Sequence, residues 1–177
     1  MLRTTRDRGF TLIEILVVMI IVGLLAAIAV FTMAGGSQQR ELESETRELF
    51  LLMQTASEQA VLNNLEMGLM LQDDGYQFVA FQETSGEWKA SGERIFRKRP
   101  LPEWLEIIAY VEADAPRLAS SEDQPLPEVV FFSSGETTPF EFELTAGNQT
   151  DYRHVLASDG LSPLEWRKPG RNEEDDL

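Results

Sequence analysis

Hydrophobic and polar positions fall into three regimes along the chain. From Ile15 to Ala34 twenty residues in succession carry no charge, and most are Ile, Leu, Val or Ala. As an α-helix such a run rises about 30 Å, the hydrocarbon thickness of a bilayer, and it is apolar on every face rather than along one stripe. From Gln38 to about Leu65 the pattern becomes amphipathic. Leu42, Leu49, Met53, Ala56 and Ala60 recur at steps of three, four or seven, while Glu41, Glu43, Glu45, Arg47, Glu48 and Glu58 lie largely off that stripe. This predicts that one helix leaves the membrane and packs a single face on a globular domain, with Gly35-Gly36 as a place where it can bend. From Met67 onward the period is two. The stretches 68–72 and 76–81 flank Asp73-Asp74-Gly75 as a hairpin, and further strands are predicted at 94–98, 105–111, 129–132, 140–144 and 152–157. Pro116, Pro125 and Pro127 mark a long loop over 113–127.

Composition sharpens this picture. Charge is strongly acidic, −15 over 177 residues, which argues against nucleic acid as a partner, because such binding needs clustered Lys and Arg facing the phosphates. Cysteine is absent, so disulfides, zinc–thiolate sites and thiol nucleophiles are excluded. The few basic residues that precede the apolar run, Arg3, Arg6 and Arg8, place the N-terminus in the cytoplasm by the positive-inside rule and everything after residue 40 across the membrane. The last six residues form an acidic run.

Two readings compete for the apolar segment. Ala27-Ile28-Ala29 has the small-x-small form of a signal-peptidase site, which would release a soluble periplasmic binding domain. Against it stand the length of the segment and Glu14, a carboxylate at the head of an apolar helix, where charge is costly and by default functional. Glu14 either pairs with a cation inside the membrane or snorkels to the interface.

The residues Arg8-Gly9-Phe10-Thr11-Leu12-Ile13-Glu14, followed by the apolar run, resemble the cleavage motif of type IV prepilins and type II secretion pseudopilins. The resemblance implies that a prepilin peptidase cuts between Gly9 and Phe10 and methylates the new amine of Phe10. It implies also that Glu14 meets the amine of a neighbouring subunit and so sets axial register in a filament. A second, looser likeness covers the C-terminal strands. Val129-Val130-Phe131-Phe132-Ser133-Ser134-Gly135-Glu136 and then Pro139-Phe140-Glu141-Phe142-Glu143-Leu144 are similar to H-type minor pseudopilins and their FimT-like pilus relatives.

The fold class expected is therefore α+β and pilin-like: a long N-terminal helix, membrane-spanning in its first half, on an antiparallel β-sheet domain. Its divisions are a cleaved leader over 1–9, a transmembrane helix over 10–36, an amphipathic helix over 37–66, a β domain over 67–166 and a disordered acidic tail over 167–177. The function the resemblance implies is that of a minor pseudopilin that helps export folded proteins across the outer membrane. A minor pilin of a type IV pilus or competence pseudopilus is the alternative within the same mechanics. Expected partners are other pseudopilins, the prepilin peptidase and an inner-membrane assembly platform. The expected location is the inner membrane, single-pass, with a periplasmic globular domain.

Catalysis is not expected. His154 is the sole histidine and has no cysteine or second histidine with which to build a nucleophile–base pair or zinc site. Asp73-Asp74-Gly75 does not continue as a calcium loop and reads as a turn, and Ser133-Ser134-Gly135 lacks the form of a nucleophile elbow. No metal or cofactor is expected. The one basic cluster after the leader, Arg94, Arg97, Lys98 and Arg99, reads either as a docking patch or as a charged strand edge.

Overall fold

The structure is a computed structural model that describes residues 12–112, 118, 125–147 and 152–170, with the side chains of 27–36 outside that set. Two compact units divide it, residues 1–38 and 39–177. Helix α1 (Leu12–Asn63, 52 residues) contributes to both and passes through Gly35-Gly36 without an assigned break.

In the first unit, every described side chain of α1 from Leu12 to Ala26 is exposed. Among the described residues no helix is long and apolar enough to cross a membrane. The span predicted from sequence, Ile15 to Ala34, runs into the side chains that are not described.

In the second unit, α1 buries one stripe. Leu42, Thr46, Leu49, Met53, Ala56 and Ala60 alternate steps of four and three and are all at most 1% exposed. Thr46 fills the seven-residue gap that the apolar pattern left open. Its hydroxyl donates to the Leu42 carbonyl at 2.7 Å, so this polar position is buried with its hydrogen bond made. The helix ends at Asn64, whose φ of 50° is left-handed, while Leu65 N–H donates to the Ala60 carbonyl at 3.1 Å. This closure satisfies a carbonyl of the last turn.

Two antiparallel sheets receive that stripe. One joins β1 (Met67–Gln72), β2 (Gly75–Gln82), β3 (Glu87–Ala90) and β6 (Val129–Phe131) in the order β3-β2-β1-β6, with β4 (Arg99–Pro100) paired to β2. The other joins β5 (Leu105–Val111), β7 (Phe140–Ala146), β8 (Arg153–Ser158) and β9 (Glu165–Arg167) in the order β5-β7-β8-β9. Strand β7 shows the one-sided alternation that directs its packing. Phe140, Phe142 and Leu144 are buried, and Glu141 and Glu143 point the other way. The core gathers the α1 stripe with Leu69, Phe78, Phe131, Phe142 and Leu156, each at most 1% exposed. The sheets are also stitched by backbone, for Thr138 N–H donates to Val130 in β6 and Thr137 N–H to the Gly160 carbonyl after β8, both at 2.9 Å.

The hairpin falls where its turn residues predicted, with Gln72 opposite Gly75. Gly75 has φ 156°, and a Cβ there would overlap the Arg99 carbonyl oxygen, so only glycine lets β4 lie against β2.

Three sequence expectations change. Residues 94–98 are not a strand; Arg94–Phe96 form a 3₁₀ turn, because Phe96 turns inward, fully buried, to lie 5.1 Å from the ring of Phe78. Strands β3, β4 and β9 were not predicted, being only 4, 2 and 3 residues long. Arg167 and Lys168, assigned from composition to the tail, belong to the folded part: Arg167 closes β9 and Lys168 pairs with Glu43 at 2.9 Å. The acidic run behind them masked two cations that have carboxylate partners on the domain. The leader, most of the 113–127 loop and residues 171–177 lie outside the described residues.

Candidate functional site

Of the N-terminal motif, Leu12, Ile13 and Glu14 are among the described residues; Gly9 and Phe10 lie outside them. Glu14 sits in the first turn of α1 and is exposed, in a helix where Leu12, Ile13, Leu16, Met19, Ile20, Leu24 and Leu25 are between 53% and 87% exposed. A soluble monomer rarely presents contiguous apolar surface on this scale. Each such side chain gains about 1.5–3 kcal/mol when covered, so this part of α1 is built to lie in hydrocarbon or against other helices. A carboxylate entering that environment needs a cation.

The histidine, serine and aspartates with potential chemistry are held in structural contacts. The Nδ1 of His154 accepts from Trp166 Nε1 at 3.1 Å, which leaves the proton on Nε2, buried and without a partner. Burial lowers the pKa of His154; the nearby Glu43 carboxylate opposes that shift and Lys168 adds to it, so the ring is neutral at pH 7. Ser133 is a cap rather than a nucleophile: its N–H and Oγ donate to the Glu66 carboxylate at 2.7 and 2.8 Å. Asp73 and Asp74 form the exposed hairpin turn, and the hydrogen bond from Lys98 Nζ at 2.8 Å lowers the Asp74 pKa. Among the described residues no group of three or more His, Asp or Glu is arranged to hold a metal.

What the second unit does build is a set of clamps on α1. On one flank, Trp166 of β9 lies 5.8 Å from Phe50, with Arg47 5.5 Å and Lys168 4.6 Å from its ring, and Glu43 joins both cations at 3.0 and 2.9 Å. On another, Arg99 pairs with Glu48 and donates to the Ile95 carbonyl at 3.2 Å. Tyr76, almost wholly buried in the core, has its phenol pKa raised by burial and then by Glu48. Sequence reasoning missed the first clamp. Its only signals were the i,i+4 spacing of Glu43 and Arg47 and a lone tryptophan in a polar tail. The basic cluster does not act as a unit: Lys98 and Arg99 are bound to Asp74 and Glu48, whereas Arg94 and Arg97 are exposed with no carboxylate in ion-pair range among the described residues.

An apolar exposed helix that continues into a helix docked by one stripe on antiparallel sheets, behind a basic glycine-containing head, defines a pilin-like subunit. Comparison with known proteins agrees at both ends. The prokaryotic N-terminal methylation motif matches residues 4–30, which implies anchoring in a membrane by the N-terminal helix, and the type II transport protein GspH family matches residues 45–160. Type II secretion system protein H of Pseudomonas aeruginosa is 35% identical over 162 residues, covering 88% of this chain and 92% of that protein. The protein of the same description from Aeromonas hydrophila is 28% identical over 183 residues, covering 98% of this chain and all of its own. The minor pseudopilin EpsH of the Vibrio cholerae type 2 secretion system shares the fold, with TM-score 0.62 and 18% identity over 74% of this chain and 99% of that one. The chain belongs to the type II transport protein GspH family and is a minor pseudopilin of the type II secretion system.

Proposed function

We propose that this subunit is exported in the inner membrane with its N-terminus cytoplasmic, trimmed between Gly9 and Phe10 by a prepilin peptidase, and methylated on Phe10. The observation that carries this reading is the methylation motif over 4–30, which takes in the exposed apolar start of α1. Glycine at the cut site has no side chain to hinder the extended backbone a peptidase needs. Cleavage ahead of the apolar run leaves the helix in the mature chain and creates a cationic amine about one turn from Glu14. In hydrocarbon that amine and the Glu14 carboxylate of a neighbouring subunit each relieve the other's burial cost, which sets the axial register of the filament.

The mature subunit then acts mechanically. Together with other pseudopilins, and driven from an inner-membrane assembly platform, it helps push folded proteins through an outer-membrane channel. Loss of the first nine residues takes the net charge from −15 to −17, so cohesion in the filament comes from apolar helices rather than from overall charge attraction. No step in this role calls for catalysis, metal or cofactor. Gly9→Val is expected to block maturation. On co-expression with a prepilin peptidase the variant should keep the mobility of the precursor, and a normal shift to the mature form would count against the assigned cut.

A further inference from the structure

Among the described residues, Arg47, Lys89, Lys98, Arg99, Arg153, Arg167 and Lys168 each lie within 4 Å of a carboxylate. Arg94 and Arg97 do not, and they flank Ile95, which is 42% exposed. Three carboxylates near this turn have other partners: Glu93 accepts from Gln59 at 2.9 Å, Asp74 from Lys98 at 2.8 Å, and Glu48 from Arg99. The turn is also held rigid. Phe96 is fully buried against Phe78, its N–H donates to the Glu93 carbonyl at 3.1 Å, and the Ile95 carbonyl accepts from Arg99. Two unpaired arginines and an apolar side chain are thus presented on a fixed frame, on a chain whose net charge is −15. A preformed surface of this kind loses little freedom on binding, and arginine forks suit carboxylates.

We propose that Arg94, Ile95 and Arg97 form a docking surface for a neighbouring pilin-like subunit that presents carboxylates around an apolar residue. This rests on the filament reading above and adds a specific contact to it. A flat anionic bilayer would meet Glu93 and Asp74 as well as the arginines, whereas a protein surface can set its carboxylates on the arginines alone. In an acidic molecule this places attraction at one spot and leaves repulsion elsewhere, which favours one partner and one orientation.

The test uses the full chain in membranes of cells that contain the secretion machinery. A photo-cross-linking p-benzoyl-phenylalanine replaces Ile95, and a second version carries it at Ile20 in the apolar helix as a control. Illumination should join position 95 to another pilin-like subunit beside carboxylates that peptide mapping identifies. Arg94→Glu with Arg97→Glu should lower that adduct roughly tenfold, and changing the mapped carboxylates to lysine should restore it. Both arginines are exposed and unpaired, so the double variant keeps the fold. A lipid adduct at position 95, an adduct indifferent to charge reversal, or failed restoration would overturn the proposal. So would position 95 remaining silent while position 20 cross-links to subunits. Silence at both positions would remove the filament reading, and this contact with it.

Discussion

Glu14 and His154 show how one titratable residue gains its meaning from its surroundings. Glu14 is a carboxylate in an exposed apolar helix, and its cost appears only when that helix is covered by lipid or protein. Replacing Glu14 by alanine should therefore leave peptidase processing intact and reduce incorporation into the filament. Quantifying the variant in sheared pseudopili against total membrane protein checks this, and unchanged incorporation would remove the register role. His154 is the opposite case, a ring already buried and held neutral by its surroundings. Because its folded pKa is lowered, the unfolded chain binds the proton more readily. Its contribution is intact above the unfolded value of about 6.5 and declines as pH falls through and below it. Urea midpoints should thus drop between pH 7.5 and pH 5.5, and His154→Gln should flatten that slope. Glutamine is chosen because its carbonyl can still accept from Trp166.

At the scale of elements, α1 and β9 had very different visibility. The α1 stripe could be read because five of its six positions are apolar and the sixth, Thr46, satisfies itself within the helix. Strand β7 could be read because Phe140, Phe142 and Leu144 are buried in alternation with Glu141 and Glu143, whereas β1, β2, β5 and β8 were legible as short apolar runs bounded by turn residues rather than by one buried face. The 3-residue β9 was not legible: so short a strand has no period, and besides its pairing with β8 it is held by side chains over a hundred positions earlier, Glu43, Arg47 and Phe50. The turn at 94–96 was misread for a related reason, since alternation there reflects one inward aromatic, Phe96, rather than a strand. The clamp predicts a measurable effect. Trp166→Ala removes the ring shared by Phe50, Arg47, Lys168 and His154, and should destabilise the domain by about 2–4 kcal/mol, read as a lower urea midpoint with an unchanged m-value. A midpoint shift too small to resolve would mean that β9 lies on the domain without holding it.

At the scale of the whole molecule, the chain divides chemically into a segment that needs other molecules to cover it and a domain that has closed its own core. Class and family were legible because the N-terminal signal is local: a glycine, an aromatic, a carboxylate and an apolar run follow one another within about thirty residues. The docking patch was only half legible. Sequence shows four basic residues together, and three-dimensional pairing is what separates Lys98 and Arg99, which hold Asp74 and Glu48, from Arg94 and Arg97, which pair with no carboxylate among the described residues. The central claim, that this is a filament subunit made from a peptidase-processed precursor, is tested most directly by mass spectrometry of its N-terminus from membranes of a cell that holds a prepilin peptidase. The account predicts a chain that begins at N-methylated Phe10. An intact Met1, or a start after Ala29, would contradict it.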